Sequence, residues 1–453
     1  MPGLETPGVS HPEADRRQVG VARGTFLGFR ADVITAISLI VTSIVIARAL
    51  GPEDRGIFFL ASLVITYVTV VGDLGVSTAG LVFAADGRVR FGELQGIALL
   101  FSLAAGVVGT LVLLPFEAFW TDTILKGLDV PILVLVCIGI PLSLYAQITI
   151  ALLTGLGRIP VTAWARIALA VAYPVILTPV TIATQSPFWS LFTWIAGIAG
   201  FALGVGIYCA LQVSVPRPPR ARSLREVLSF GVRAYLGTLS YHGFLRIDVL
   251  FISARYGPRM VGIYSLSTVV AERISLLGQA VYAASAQRIG SSPREQAAEL
   301  TANVLRLLVL VMVPAAAAAA LLCWPVFPLV FGDDFADACL PFTLLLPGAV
   351  CLTLWAVTAL FIVASLKRPG LTTVIQAGGL ALSLPLYYLA VREAQMTGAA
   401  IVSSAVYTGV LFAGLAVLIS SSSLRWKQLV PGRADLTGMR QTLRTALGRE
   451  ARA

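Results

Sequence analysis

Twelve runs of about twenty predominantly apolar residues follow one another along this chain. They lie near 27–49, 57–83, 95–116, 131–153, 162–183, 188–213, 227–254, 260–286, 303–324, 341–364, 371–391 and 397–420. A helix needs about 20 apolar residues to cross roughly 30 Å of hydrocarbon. Backbone in lipid must satisfy its own hydrogen bonds, which favours helices. The runs therefore predict an all-α, polytopic membrane protein of about twelve transmembrane helices. Composition agrees, since 57% of the 453 residues are hydrophobic and only 12% charged, against roughly 45–50% and 25% in soluble domains. That excludes a water-soluble enzyme or an ordinary nucleic-acid-binding domain. The connections are short and hold no separate soluble domain.

The net charge of +10 reads as membrane orientation rather than nucleic-acid binding. With the N-terminus inside, twenty-two Lys and Arg residues fall in inward segments and six in outward loops. This bias predicts two cytoplasmic termini. No signal peptide is visible, because residues 1–24 carry Glu5, Glu13, Asp15 and several prolines without an apolar core. The tail from Arg425 onward reads either as a disordered basic segment or as a surface helix. In the second case Leu436, Met439, Leu443 and Leu447 share a face beside Arg440 and Arg444. Five cysteines without a CxxC pair predict neither a metal site nor a disulfide framework.

The chain repeats itself. Residues 51–58 read Gly-Pro-Glu-Asp-Arg-Gly-Ile-Phe and residues 257–264 read Gly-Pro-Arg-Met-Val-Gly-Ile-Tyr, an offset of 206. Each copy follows the first span of its half. Leu156-Gly157-Arg158 and Leu366-Lys367-Arg368 echo each other in the same way. A parallel repeat of two six-span halves is expected, with a substrate path at their interface and alternating access by rocking. The predicted organisation is a cytoplasmic N-terminal tail (1–26), a six-helix bundle (27–213), a cytoplasmic linker (214–226), a second bundle (227–420) and a basic cytoplasmic tail (421–453). The motif residues are expected to shape a tight hairpin and a close helix approach, not to bind anything.

Polar residues stripe matching faces of the second and eighth spans. Thr268, Glu272, Ser275 and Gln279 map by the offset onto Ser62, Thr66, Thr69 and Asp73. The pairing points to a hydrated cavity between the halves. The seventh span carries Arg233, His242, Arg246 and Asp248, and Thr42 is the equivalent of Asp248 in the first span. A charge at mid-span costs about 2.5–3.5 kcal/mol on insertion scales, so such groups face the interior and either pair or line a path. Arg246 and Asp248 are read both ways. Glu272 either bridges the adjacent Arg273 or faces the cavity. Asp73, between Gly72 and Gly75, lies nearer an inward end. Arg166 and Arg306 are expected to snorkel to the inward interface, and His242 reads more readily as a satisfied interior histidine than as a proton relay. The candidate substrate or cavity residues are Arg246, Asp248, Glu272, Arg273, Arg233, His242, Asp73, Thr66, Thr42 and Gln279, with no catalytic, metal or cofactor site. No GxxxxGK[ST] loop occurs. Transport is then driven by an ion gradient (H+ or Na+), by the substrate gradient or by another subunit.

The run from Ala47 to Phe58, then Gly72-Asp73-Leu74-Gly75-Val76-Ser77-Thr78, Ile247-Asp248-Val249-Leu250 and Phe331-Gly332-Asp333-Asp334-Phe335, resembles the oligosaccharide flippase family. These are O-antigen-type polysaccharide biosynthesis transporters of the multidrug/oligosaccharidyl-lipid/polysaccharide (MOP) exporter superfamily. The resemblance implies two six-helix bundles in a V, with spans 1, 2, 7 and 8 lining the cavity. It implies flipping of an undecaprenyl-diphosphate-linked oligosaccharide to the outer face of a bacterial inner membrane, alongside polysaccharide-assembly proteins. Arg246, Arg233 and Arg273 are the cations available to a diphosphate. The sequence departs from an even site, because the first span offers only Thr35, Ser38 and Thr42. A drug/cation antiporter of the same superfamily would use Glu272 and Asp248, but the intramembrane arginines oppose a cationic substrate. A lipid II flippase typically has fourteen spans. A membrane glycosyltransferase or polymerase needs a large catalytic outward loop, which is missing here.

Overall fold

The structure, a computed structural model, describes residues 12–432, so the surface helix read over 436–447 lies outside the described residues. Regular structure among those residues is helical. In order the helices are α1 (Pro12–Asp73), α2 (Val76–Asp86), α3 (Phe91–Leu113), α4 (Glu117–Thr123), α5 (Val130–Gly155), α6 (Ile159–Thr184) and α7 (Pro187–Gln212). They continue as α8 (Ala221–Tyr256), α9 (Pro258–Arg273), α10 (Leu276–Ser291), α11 (Arg294–Phe331), α12 (Cys339–Leu360) and α13 (Pro369–Ser420). Nine described helical segments are long and apolar enough to cross a membrane. Two of them contain a break each, in α1 and α13, and the 36-residue α8 has the length but carries arginines. The chain is a multi-pass membrane protein. Its outer surface fits lipid: Leu321, Leu211 and Leu329 are 77%, 75% and 74% exposed, and so much exposed apolar surface is foreign to a soluble monomer.

Local chemistry sets the breaks. In α1, Gly51 takes φ 73°, ψ −178° ahead of Pro52, a conformation essentially restricted to glycine. Gly257 repeats it at φ 79°, ψ −171° ahead of Pro258. Proline suits the first helical position, where its missing N–H is not needed. The second span breaks again at Leu74 and Gly75, both at positive φ, before resuming as α2. Its counterpart breaks between α9 and α10. The break inside α13, at Ala394 and Gln395, carries no glycine or proline.

α1, α3, α5, α6 and α7 pack on one another, α11, α12 and α13 do likewise, and α8 lies along α13. The two groups meet along a seam formed by α1 against α9 and α2 against α8. At the Gly51/Gly257 end the meeting is reciprocal: a Cβ on Gly56 would overlap the Pro258 carbonyl, and a Cβ on Gly262 would overlap the Pro52 carbonyl. Both pairs obey the 206-residue offset, so the repeated motif builds a pseudo-twofold crossing as well as a turn. At the opposite end Gly75 lies against the backbone of Gly231, and the Tyr235 hydroxyl donates to the Val70 and Val71 carbonyls at 2.7 and 2.9 Å. The seam is in contact at both ends.

The connector between the groups is pinned to the first. Arg217 N–H donates to the Gly92 carbonyl at 2.8 Å, and Gly96 abuts the Arg217 carbonyl. Buried Glu93 accepts from Ser223 Oγ at 2.6 Å, with Arg220 Nε 3.6 Å away.

Candidate functional site

The seventh and eighth spans supply the polar centre. α8 places Arg246 on the seam, and Nη2 donates to Glu272 Oε2 of α9 at 2.6 Å. The pair is 21% and 32% exposed. The guanidinium also stands 6.0 Å from the ring centre of Phe59, a residue of α1, so Arg246 touches both groups. Tyr67 of α1 reaches the His242 carbonyl at 3.5 Å.

The partner of Glu272 is thus Arg246 and not the adjacent Arg273. Neighbouring residues of a helix point about 100° apart and do not face each other. Arg273 lies within Coulombic reach of both Glu272 and Arg246, yet its Nε is buried without a hydrogen-bond partner, as is Arg246 Nη1. Arg246 thus has an ion-pair partner while Arg273 has none among the described residues, and both keep unused donors. This arrangement favours an anion, because charge-assisted bonds to carboxylate or phosphate satisfy such donors.

Asp248 does not face the seam. It is 1% exposed and accepts from the Tyr264 hydroxyl at 2.6 Å, Ser403 Oγ at 3.1 Å and the Val249 N–H at 2.8 Å. The Tyr387 hydroxyl lies 2.9 Å from Ser403 Oγ. Asp248 thereby ties α8, α9 and α13 together inside the second group. A cavity of about 40 Å³ between Asp248, Thr268, Glu272, Ser275 and Tyr407 has room for a water or a small cation with oxygen partners.

The other predicted residues divide. Asp73 Oδ1 accepts from Ser77 N–H at 3.0 Å and Ser77 Oγ at 2.6 Å, which steadies the restart of the helix after Gly75. Thr66 bonds back to the Ser62 carbonyl at 2.8 Å, and Gln279 is exposed. Thr42 and Thr69 are buried with hydroxyls that have no partner. The side chain of Arg233 lies outside the described residues. Arg166 lines a cleft of about 360 Å³ with Thr35, Ser38, Gln147, Tyr173 and Trp194, and Arg306 bonds the Gln428 carbonyl at 3.0 Å.

Sequence reasoning missed the partners of Asp248 and the placement of Arg55. Arg55, counted as a loop charge, is 4% exposed and donates across the seam to the Gly262 carbonyl and Ser265 Oγ. A signal was present: the offset maps Arg55 onto Val261, so one copy of a symmetric contact carries a charge that the other lacks.

Residues 45–340 match a family described as "Polysaccharide biosynthesis protein". No curated protein matches the chain significantly. Among solved structures, the lipid II flippase MurJ in an inward closed conformation matches with a TM-score of 0.68 at 11% identity, covering 89% of each chain. An outward-facing multidrug resistance MATE transporter of the MOP superfamily gives 0.59 at 15% identity, covering 87% of this chain and 95% of its own. A MOP-superfamily transporter from Pyrococcus furiosus, noted for a binding pocket of reversed polarity, gives 0.55 at 15% identity, covering 89% of this chain and 94% of its own.

Proposed function

Because the chain belongs to the polysaccharide biosynthesis protein family and carries the fold of MOP-superfamily transporters, we propose that it flips a lipid-linked oligosaccharide for surface polysaccharide assembly. The carrier is undecaprenyl diphosphate, taken from the cytoplasmic face of a bacterial inner membrane and released outside. The observation that carries this reading is that Arg246 Nη1 and Arg273 Nε are buried at the seam without hydrogen-bond partners. A diphosphate can take the free donors of Arg246 and Arg273, compensating cations that are costly in a membrane interior. Hydroxyls and aromatic rings along α1 and α9 suit sugar, while the polyprenyl tail stays in lipid.

In this reading the halves at 27–213 and 227–420 rock against each other about the seam, with both termini cytoplasmic. The Gly51/Gly257 end then faces outward and the Tyr235 end inward. The 40 Å³ cavity beside Asp248 and Glu272 suits a coupling ion, H+ or Na+, because binding there alters the charge that faces Arg246. A cation antiporter would need carboxylates in excess at the seam, and Asp248 is turned away from it.

The test is a deletion strain whose undecaprenyl-diphosphate-linked glycans are extracted and assigned to a membrane face. Complete repeat units are expected to accumulate on the cytoplasmic face while surface polymer is lost, and Arg246→Ala should fail to restore it. Normal glycans with new sensitivity to cationic dyes would instead establish the antiporter.

A further inference from the structure

Arg55 is a buried cation held by neutral oxygens of the opposite group. Its guanidinium donates to the Gly262 carbonyl, to Ser265 Oγ at 2.6 Å and, within its own group, to Ser43 Oγ at 3.4 Å. The Phe335 ring centre lies 5.7 Å away. None of the ion pairs among the described residues includes Arg55. A buried charge without a counter-charge is unfavourable, and packing does not require it, since the equivalent position across the pseudo-twofold is Val261. Glu53 and Asp54 precede it, but neither faces it at salt-bridge distance.

Its position supplies a reason. Arg55 and Phe59 stand four residues apart on α1, one above the other and separated by about 6 Å of helix rise. Phe59 is the ring over which Arg246 sits. Arg273, Arg246 and Arg55 thus form a row of cations running along the seam from its centre to the Gly51/Gly257 end. Two of the three bonds that hold the last exist only while the groups touch.

We propose that Arg55 is a second anion station, at the exit end of the path, and that it couples arrival of the substrate's phosphoryl head group to opening of that end. In the closed arrangement the Gly262 carbonyl and Ser265 hold the guanidinium. A phosphate or diphosphate advancing from Arg246 offers it stronger, charge-assisted acceptors, so the bonds across the seam are exchanged for bonds to substrate and the groups separate. No covalent change is involved. This inference rests on the proposed path for an anionic lipid-linked substrate.

The experiment uses the full chain in proteoliposomes, with the five native cysteines replaced by alanine and Val261→Cys, buried next to Gly262 and outside the latch bonds, as reporter. Initial rates of labelling by an impermeant maleimide are measured with polyprenyl diphosphate or neutral polyprenol in the vesicles. With Arg55 present, the diphosphate should raise the rate about fivefold or more and polyprenol should not. Arg55→Lys and Arg55→Gln both weaken the latch, so basal labelling rises in each. Only the lysine variant should keep a response to diphosphate. Equal responses in the two variants, an equal response to polyprenol, or no response in the Arg55 protein would each overturn the inference, the last needing no variant that folds. Thermal stabilisation of the parent by polyprenyl diphosphate, lost in Arg246→Ala, is read separately. Stabilisation without a labelling response removes the role of Arg55 and leaves the transport reading, whereas loss of both removes the two together.

Discussion

The first and second groups share a backbone device and differ in charge. Gly51 and Gly257 adopt nearly the same φ and ψ, each followed by proline and, four residues later, by a glycine that meets the other copy's proline carbonyl. Beyond that crossing the two differ in the side chains they carry. The first group offers Thr42, Thr66 and Thr69, while the second offers Arg246, Asp248 and Glu272 with a network of hydroxyl partners. Geometry was kept in both copies because the crossing needs two matching sides. Charge is distributed unevenly, with Arg55 and Asp73 buried in the first copy and Asp248 buried beside the Arg246–Glu272 pair in the second, since each intramembrane charge must have its own partners.

The largest effect should come from breaking the shared device. Gly56→Val and Gly262→Val each drive a side chain into fixed backbone, and membrane accumulation should fall to about a tenth or less, measured by quantitative immunoblot against equivalent changes at open Gly200. Next come changes that unmake the charge asymmetry. Arg246→Ala strands Glu272 and should cost about 3–5 kcal/mol together with surface polymer. Arg246→Lys should recover part of both, read as thermal unfolding and polymer yield.

Exchanging the pseudo-equivalent positions sharpens the comparison. Thr42→Asp places a carboxylate where no hydroxyl network awaits it, at about 2.5–3.5 kcal/mol. Asp248→Thr leaves the Tyr264 hydroxyl without its acceptor, at about 1–3 kcal/mol, while Ser403 keeps the Ala399 carbonyl at 2.9 Å. Thermal melts of the two single variants and the double test whether the costs stay separate. Tyr235→Phe removes the donor that bolts α8 to α1, about 1 kcal/mol, and should raise cysteine labelling at that end of the seam roughly fivefold. The smallest effect is expected from Thr69→Val, within about 0.5 kcal/mol, because the hydroxyl has no partner to lose. A clear loss of transport there would give the first group a binding role.

What the sequence disclosed follows from distance along the chain. The spans were legible because lipid demands runs such as those of α3, α5, α6 and α7, and the repeat was legible because Gly-Pro followed by glycine is a local signature. The seven-residue α4 escaped, being too short and polar for a hydropathy window. Arg246 and Glu272 were both visible as costly, but their pairing depends on how α8 crosses α9. The partners of Asp248 include Ser403, 155 residues away, which no helical periodicity can reach. Arg55 was hidden by its neighbours: within a turn motif a charge reads as solvated, and only the opposite group buries it.

The pinned connector has a mechanical consequence. With Arg217 and Ser223 fastened to α3, the first turn of α8 has little freedom to slide, so movement of that helix resolves into rotation about its start. Arg246 lies 25 residues along, roughly 37 Å from the anchor at 1.5 Å per residue. A swing of only about 10° would carry its guanidinium some 6 Å. α8 is thus a long lever with a short fulcrum, and the stiffness of eight or so connector residues sets how far the charge can travel.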